Sequence, residues 1–146
     1  MDKPLVAASA CLLGTPVRSD GEACEFRPLS RQWSEHLRLL PFCPEVGIGL
    51  GTPRPHLRLS KVDGGIRLVQ PRSGKDLTDA MVAWATRTSD DLAGLGVNGL
   101  VLKEGSPSCG VNRVEVHPSE EGRVVREGVG VFTMVFMALN LSLIHI

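Results

Sequence analysis

Three of the four cysteines stand in separate loops rich in glycine, proline and serine. Cys11 lies in Ser9-Ala10-Cys11-Leu12-Leu13-Gly14, Cys43 in Phe42-Cys43-Pro44-Glu45, and Cys109 in Ser106-Pro107-Ser108-Cys109-Gly110. Their spacings of 32 and 66 residues exclude the paired C-x2-C knuckles of zinc fingers and ferredoxins. Cys24, 13 positions beyond Cys11, makes no such pair either. A site made from these thiols has to be assembled by the whole fold. The Cys11 and Cys43 loops each follow a short apolar run that reads as a strand. The Cys109 loop follows a helix and a short apolar stretch. In an open α/β sheet the loops after strands gather at one edge, where ligands bind.

The 146 residues fit one domain, and 42% hydrophobic residues suffice for a core. A formal net charge of zero gives no reason to expect nucleic acid as a partner. No apolar run approaches the ~20 residues that span a membrane. Met1-Asp2-Lys3-Pro4 is too polar, and the run after it too short, for a secretion signal. A cytoplasmic location is expected, and with it metal-binding or catalytic cysteines, not disulfides. Any one of them could be a buried, inert thiol. Three in Gly/Pro/Ser loops fit that reading poorly.

The hydrophobic pattern predicts a central first strand at 5–8 and a helix at 28–40 with Leu29, Trp33, Leu37 and Leu40 on one face. A second strand follows at 40–43, limited by Pro41 to a short or edge position. Residues 44–55 read as an irregular loop. Alternation at 57–62 and 66–69 around Asp63-Gly64-Gly65 reads as a β-hairpin. The clearest helix runs from Gly74 to Leu95, capped by Asp76 or Thr78, with Leu77, Met81, Trp84 or Ala85, Thr88, Leu92 and Leu95 on one face. Short strands at 99–102 and 114–116 precede an apolar helix at 130–141, expected to be buried on most sides. The expected fold is α/β: a single compact domain over 1–140, with a mostly parallel, Rossmann-like sheet, helices packed on it and a small β-hairpin insertion. Residues 141–146 end without a cap or polar tail, as in a truncated chain or one carrying non-native sequence.

Three thiolates suit either a zinc with an open position or a [4Fe-4S] cubane with one iron left without a protein ligand. Either would act as a Lewis acid. Composition does not choose between them.

Six segments stand in a telling order: Ser-Ala-Cys-Leu-Leu-Gly at 9–14, Arg18 with Asp20-Gly21, Cys-Pro-Glu-Val at 43–46, Gly-Thr-Pro-Arg-Pro at 51–55, Gly-Lys-Asp-Leu-Thr at 74–78, and Leu-Lys-Glu-Gly-Ser-Pro-Ser-Cys-Gly at 102–110. Together, over about Leu5 to Val131, they resemble the thiouracil desulfurase family, a bacterial family first catalogued as a domain of unknown function. The resemblance implies a [4Fe-4S] cluster held by Cys11, Cys43 and Cys109 only. It also implies removal of sulfur from 2-thiouracil, or a related thiolated pyrimidine, to give uracil and sulfide without net redox change. Cys24 departs from the family pattern and is expected not to be a ligand.

On this reading the thione sulfur meets the open iron while Glu45, two residues beyond Cys43, activates water as general base. Ser106 and Ser108 relay protons or hold the pyrimidine. Each has a structural alternative: Glu45 in a loop cap or a pair with Arg54, the serines as turn residues. Lys103 and Glu104 read as a solvated pair, and Arg18 and Asp20 as residues that orient the first loop. His36 and His56 read as surface residues, Trp33 and Trp84 as core. The competing functions are sulfur transfer to or from tRNA bases, disfavoured by the neutral charge, and a non-enzymatic metal-binding or redox-sensing protein, which has no need of Glu45.

Overall fold

The computed structural model describes residues 2–119 and 121–140. In chain order the strands are β1 (Leu5–Ser9), β2 (Arg38–Phe42), β3 (Arg58–Val62), β4 (Gly65–Gln70), β5 (Lys75–Asp76), β6 (Gly99–Val101), β7 (Val114–His117) and β8 (Val125–Gly128). The helices are α1 (Pro44–Gly47), α2 (Thr78–Gly94) and α3 (Val131–Leu139).

β1, β2 and β6 form a parallel sheet in the order β2-β1-β6, in register Ala7↔Leu40 and Ala7↔Leu100. The expected central position of the first strand holds. Pro41 is tolerated because β2 is an edge strand. The sheet is covered on both faces, so its strands read as apolar runs and not as alternations. Ala7, Leu40 and Leu100 belong to one apolar cluster; Ala8, Leu39 and Val101 belong to a second with Leu12 and Leu29.

The hairpin forms as expected, with Asp63 (φ 48°) and Gly64 (φ 80°) in its turn. It is more than an insertion. β3 also pairs in parallel with β7, which gives a second, mixed sheet in the order β5-β4-β3-β7-β8. The molecule is a single α/β domain with a parallel sheet and a mixed one. They share a core centred on the fully buried Phe132, whose ring lies 5.1 Å from Phe42, 5.6 Å from Trp84 and 6.1 Å from Phe136.

Other expectations are corrected too: the irregular loop at 44–55 opens with the short helix α1 (Pro44–Gly47). The helix at 28–40 is a π-helical turn (Pro28–Gln32) and a 3-10 turn (Trp33–Glu35), because pairing with β1 draws the chain from Arg38 onward into β2. Trp33 is therefore not core: it is 45% exposed and meets Phe26 edge-on at 5.7 Å. α2 starts at Thr78, because Lys75 and Asp76 pair with β4, and Leu95, beyond its end, is exposed. α3 leaves Met134 and Leu139 exposed on one side. The expectation for 141–146 lies outside the described residues.

Candidate active site

Cys11 follows β1 by two residues, in a 3-10 turn (Ala10–Leu13) closed by Gly14 at φ 95°. Cys43 follows β2 directly and precedes Pro44, the first residue of α1. Cys109 lies in the loop after β6. The three parallel strands of one sheet thus deliver the three thiols at their carboxyl ends. A cavity of about 210 Å³ there is lined by all three, together with Glu45, Ser106 and Ser108. Arg18, Arg54 and Lys103 also border it. Cys24 does not; its N–H donates to the Cys11 carbonyl at 3.0 Å.

The Cys109 loop is held from two sides. Ser106 Oγ accepts the N–H groups of Ser108 (3.2 Å) and Cys109 (3.0 Å), a clamp on the turn itself. The start of α3 supplies the other side. The N–H groups of Gly130, Val131 and Phe132 donate to the carbonyls of Gly110, Pro107 and Ser108 at 2.8, 3.0 and 3.0 Å. Thr133 Oγ1 donates to the Cys109 carbonyl at 2.6 Å. A Cβ on Gly130 would stand 2.5 Å from the Ser108 carbonyl carbon, so only glycine lets the helix approach this closely.

Glu45, on α1, is 9% exposed and makes two contacts. Its Oε1 accepts from Arg54 Nε at 2.9 Å, and its Oε2 accepts from Ser108 Oγ at 3.0 Å. The pairing with Arg54 and the position beside the thiols are both realised. Ser108 is buried against this carboxylate, whereas Ser106 is a turn residue that also faces the cavity. Lys103 Nζ donates to the Glu104 carbonyl at 2.7 Å, so the contact is to backbone and not between side chains. Arg18 lies 3.8 Å from Asp20. His36 and His56 are exposed, as expected. Gly130 and Thr133 carry no signal of this role in the sequence, because their contacts reach 20 and 24 residues back along the chain.

Burial pushes the Cys109 thiol up to about 12, with the nearby Cys43 and Glu45 adding to the rise and hydrogen bonds from Ser9 and Ser106 opposing it. Burial also raises Cys11, helped by Cys24 and Cys43 and opposed by Lys103 and Arg18. A cation bound among these thiols would favour their thiolate forms.

Thiols gathered at the carboxyl edge of a parallel sheet, next to a buried and hydrogen-bonded carboxylate, define a thiol-lined enzyme centre. The model of the 2-thiouracil desulfurase family matches residues 6–145, and the chain belongs to that family of carbon–sulfur bond-cleaving enzymes. It is similar to the solved structure of a [4Fe-4S]-dependent thiouracil desulfidase, TudS, at 35% identity and a TM-score of 0.71, over 96% of this chain and 86% of the other. It is also 27% identical to the uncharacterized protein YbbK of Bacillus subtilis (strain 168), over 73% of each chain. Among the described residues no helix is long and apolar enough to cross a membrane.

Proposed function

We propose that this protein converts 2-thiouracil, or a related thiolated pyrimidine, and water to uracil and sulfide, using a [4Fe-4S] cluster bound by Cys11, Cys43 and Cys109. The donor set fits such a group. Three thiols line one cavity, yet among the described residues no three His, Cys, Asp or Glu side chains are placed to hold a single metal ion. Donors spread around a space suit a cubane, in which each iron takes its own thiolate, better than one zinc. Cys24 is not among the residues that line the cavity, and with it left out the proposed cluster has one iron without a protein ligand. When bound, a cluster of this kind supplies a Lewis-acidic iron with affinity for the thione sulfur.

The protein residues then handle water and protons. Glu45 accepts a proton from the water whose oxygen adds to the carbon bearing sulfur. The C–S bond breaks, the C–O bond becomes the carbonyl, and both protons of the water, the one held by Glu45 and the one left on the added hydroxyl, leave with the sulfur as hydrogen sulfide. Ser108, already donating to Oε2, is placed to pass on the proton that Glu45 holds. No electron is gained or lost.

The observation that carries this reading is the meeting of three strand-end thiols and the Glu45–Ser108 pair on one cavity. A metal store or redox sensor gives no reason for a buried carboxylate there. Anaerobic reconstitution with iron and sulfide, then 2-thiouracil with uracil and sulfide quantified, is the test. Expected are about four irons per chain and turnover that is lost with Cys11→Ser, Cys43→Ser or Cys109→Ser and kept with Cys24→Ser. A colourless, zinc-binding protein would discard the mechanism.

A further inference from the structure

The ion pair beside the thiols is more elaborate than charge neutralisation requires. The Arg54 side chain is 6% exposed and that of Glu45 is 11%. While Arg54 Nε holds Glu45 Oε1 at 2.9 Å, Nη1 donates to the Val17 carbonyl at 2.9 Å. Nη1 also lies 3.3 Å from both the Gly51 carbonyl and Thr52 Oγ1, and the Arg54 N–H donates to the Ser19 carbonyl at 2.9 Å. One guanidinium therefore ties the carboxylate of α1 to the segment after the Cys11 turn and to the 51–52 loop. A point charge could neutralise Glu45 from many directions. A planar fork with fixed N–H directions also sets how the carboxylate is turned.

We infer that Arg54 is the positioning residue of this site: by engaging Oε1 it fixes the Glu45 carboxylate so that Oε2 meets Ser108 at the cavity wall. The inference rests on the reading of Glu45 as the water-activating group. Arg54 acts through Glu45 and has no proton to give or take in the reaction.

The test compares Arg54→Met and Arg54→Lys, each alone and combined with Glu45→Gln, in the full chain. It uses crystal structures and kinetics on 2-thiouracil after anaerobic reconstitution. In Arg54→Met the Glu45–Ser108 contact is expected to be lost. kcat should fall about 10- to 100-fold, the scale of a ~1 Å misplacement of a reacting group, with KM and iron per chain within about twofold of the parent. On top of Glu45→Gln, the same change should lower kcat no further. Arg54→Lys, with the charge but not the fork, should recover part of the loss. The inference is overturned if Arg54→Met keeps the Glu45–Ser108 contact, if its loss multiplies with that of Glu45→Gln, or if turnover falls only in step with iron. Should Arg54→Met fail to fold, Arg54→Lys carries the same crystal and kinetic comparison. Should the parent protein release no sulfide, the desulfidase reading falls and the crystal comparison still decides the role of Arg54.

Discussion

On the proposed mechanism Glu45 carries the largest chemical consequence of any single side chain. Its two oxygens have different partners, a cation and a hydroxyl, and the hydroxyl belongs to Ser108, the neighbour of Cys109 in the chain. Glu45→Gln keeps the shape and a hydrogen-bonding oxygen but removes the carboxylate proposed as the base. A positioned base contributes roughly 10²- to 10⁴-fold, so kcat should drop by that order while iron per chain stays at the parent value. Parallel loss of iron and turnover would make Glu45 a scaffold residue instead. The two serines should separate in the same assay. Ser108→Ala should lower kcat, whereas Ser106→Ala, which strips the acceptor from two backbone N–H groups, should lower stability and iron retention first. At this scale much was legible. The cysteines announce themselves by loop composition, and Glu45 by its place beside Cys43. The division of labour between the serines was not legible, because Ser-Pro-Ser looks the same whether a hydroxyl clamps its own turn or reaches a carboxylate 63 residues away.

Among the elements, α3 holds the Cys109 loop in place, and on the proposed reading this makes a helix part of the apparatus that carries the ligands. Thr133→Val leaves the buried Cys109 carbonyl without its hydroxyl donor, a cost of about 1–3 kcal/mol. Chemical denaturation should register it with the fold intact. The junction of β5 and α2 gives a pH prediction. Asp76 accepts from Arg67 Nε at 2.7 Å and from the Thr78 N–H at 2.9 Å. The Arg67 hydrogen bond is the main reason that its carboxyl is held down at about 2. A depressed carboxylate stabilises the fold above its ordinary value of 3.8 and loses that contribution as pH falls toward 2. Asp76→Asn should therefore be less stable than the parent at neutral pH, with the difference closing over that acidic window. The pair is part-exposed, so the effect should be small and reduced by salt. A difference that grows toward low pH would contradict this account. The element least legible in sequence was 28–40. Leu29, Trp33, Leu37 and Leu40 have helical spacing, but the partner that turns 38–42 into a strand is β1, some 30 residues earlier. Periodicity reports local preference and is silent about such pairing.

For the whole molecule, the question is what holds three strand-end loops in one place before a cofactor does. Phe132 joins the layers: its ring is fully buried among Phe42, Trp84 and Phe136, and its N–H caps the Ser108 carbonyl. The same residue thus sits in the shared core and against the Cys109 loop. Phe132→Ala should cost about 3–5 kcal/mol, a large share of the ~5–15 kcal/mol that keeps a domain folded. A cluster bound by the native chain alone stabilises it by mass action, and the three thiols come from loops 32 and 66 residues apart. Loading should therefore raise the unfolding temperature of Phe132→Ala and of the parent. It should also slow amide exchange most at 9–14, 43–47 and 103–110, the segments that carry the proposed ligands. Cys24→Ser should show the same protection as the parent, because its thiol lies off the cavity. Protection that appears in only one or two of these segments would mean that the cluster is held by fewer than three strand ends. The site would then be a local one, and the parallel sheet would no longer explain why these cysteines stand where they do.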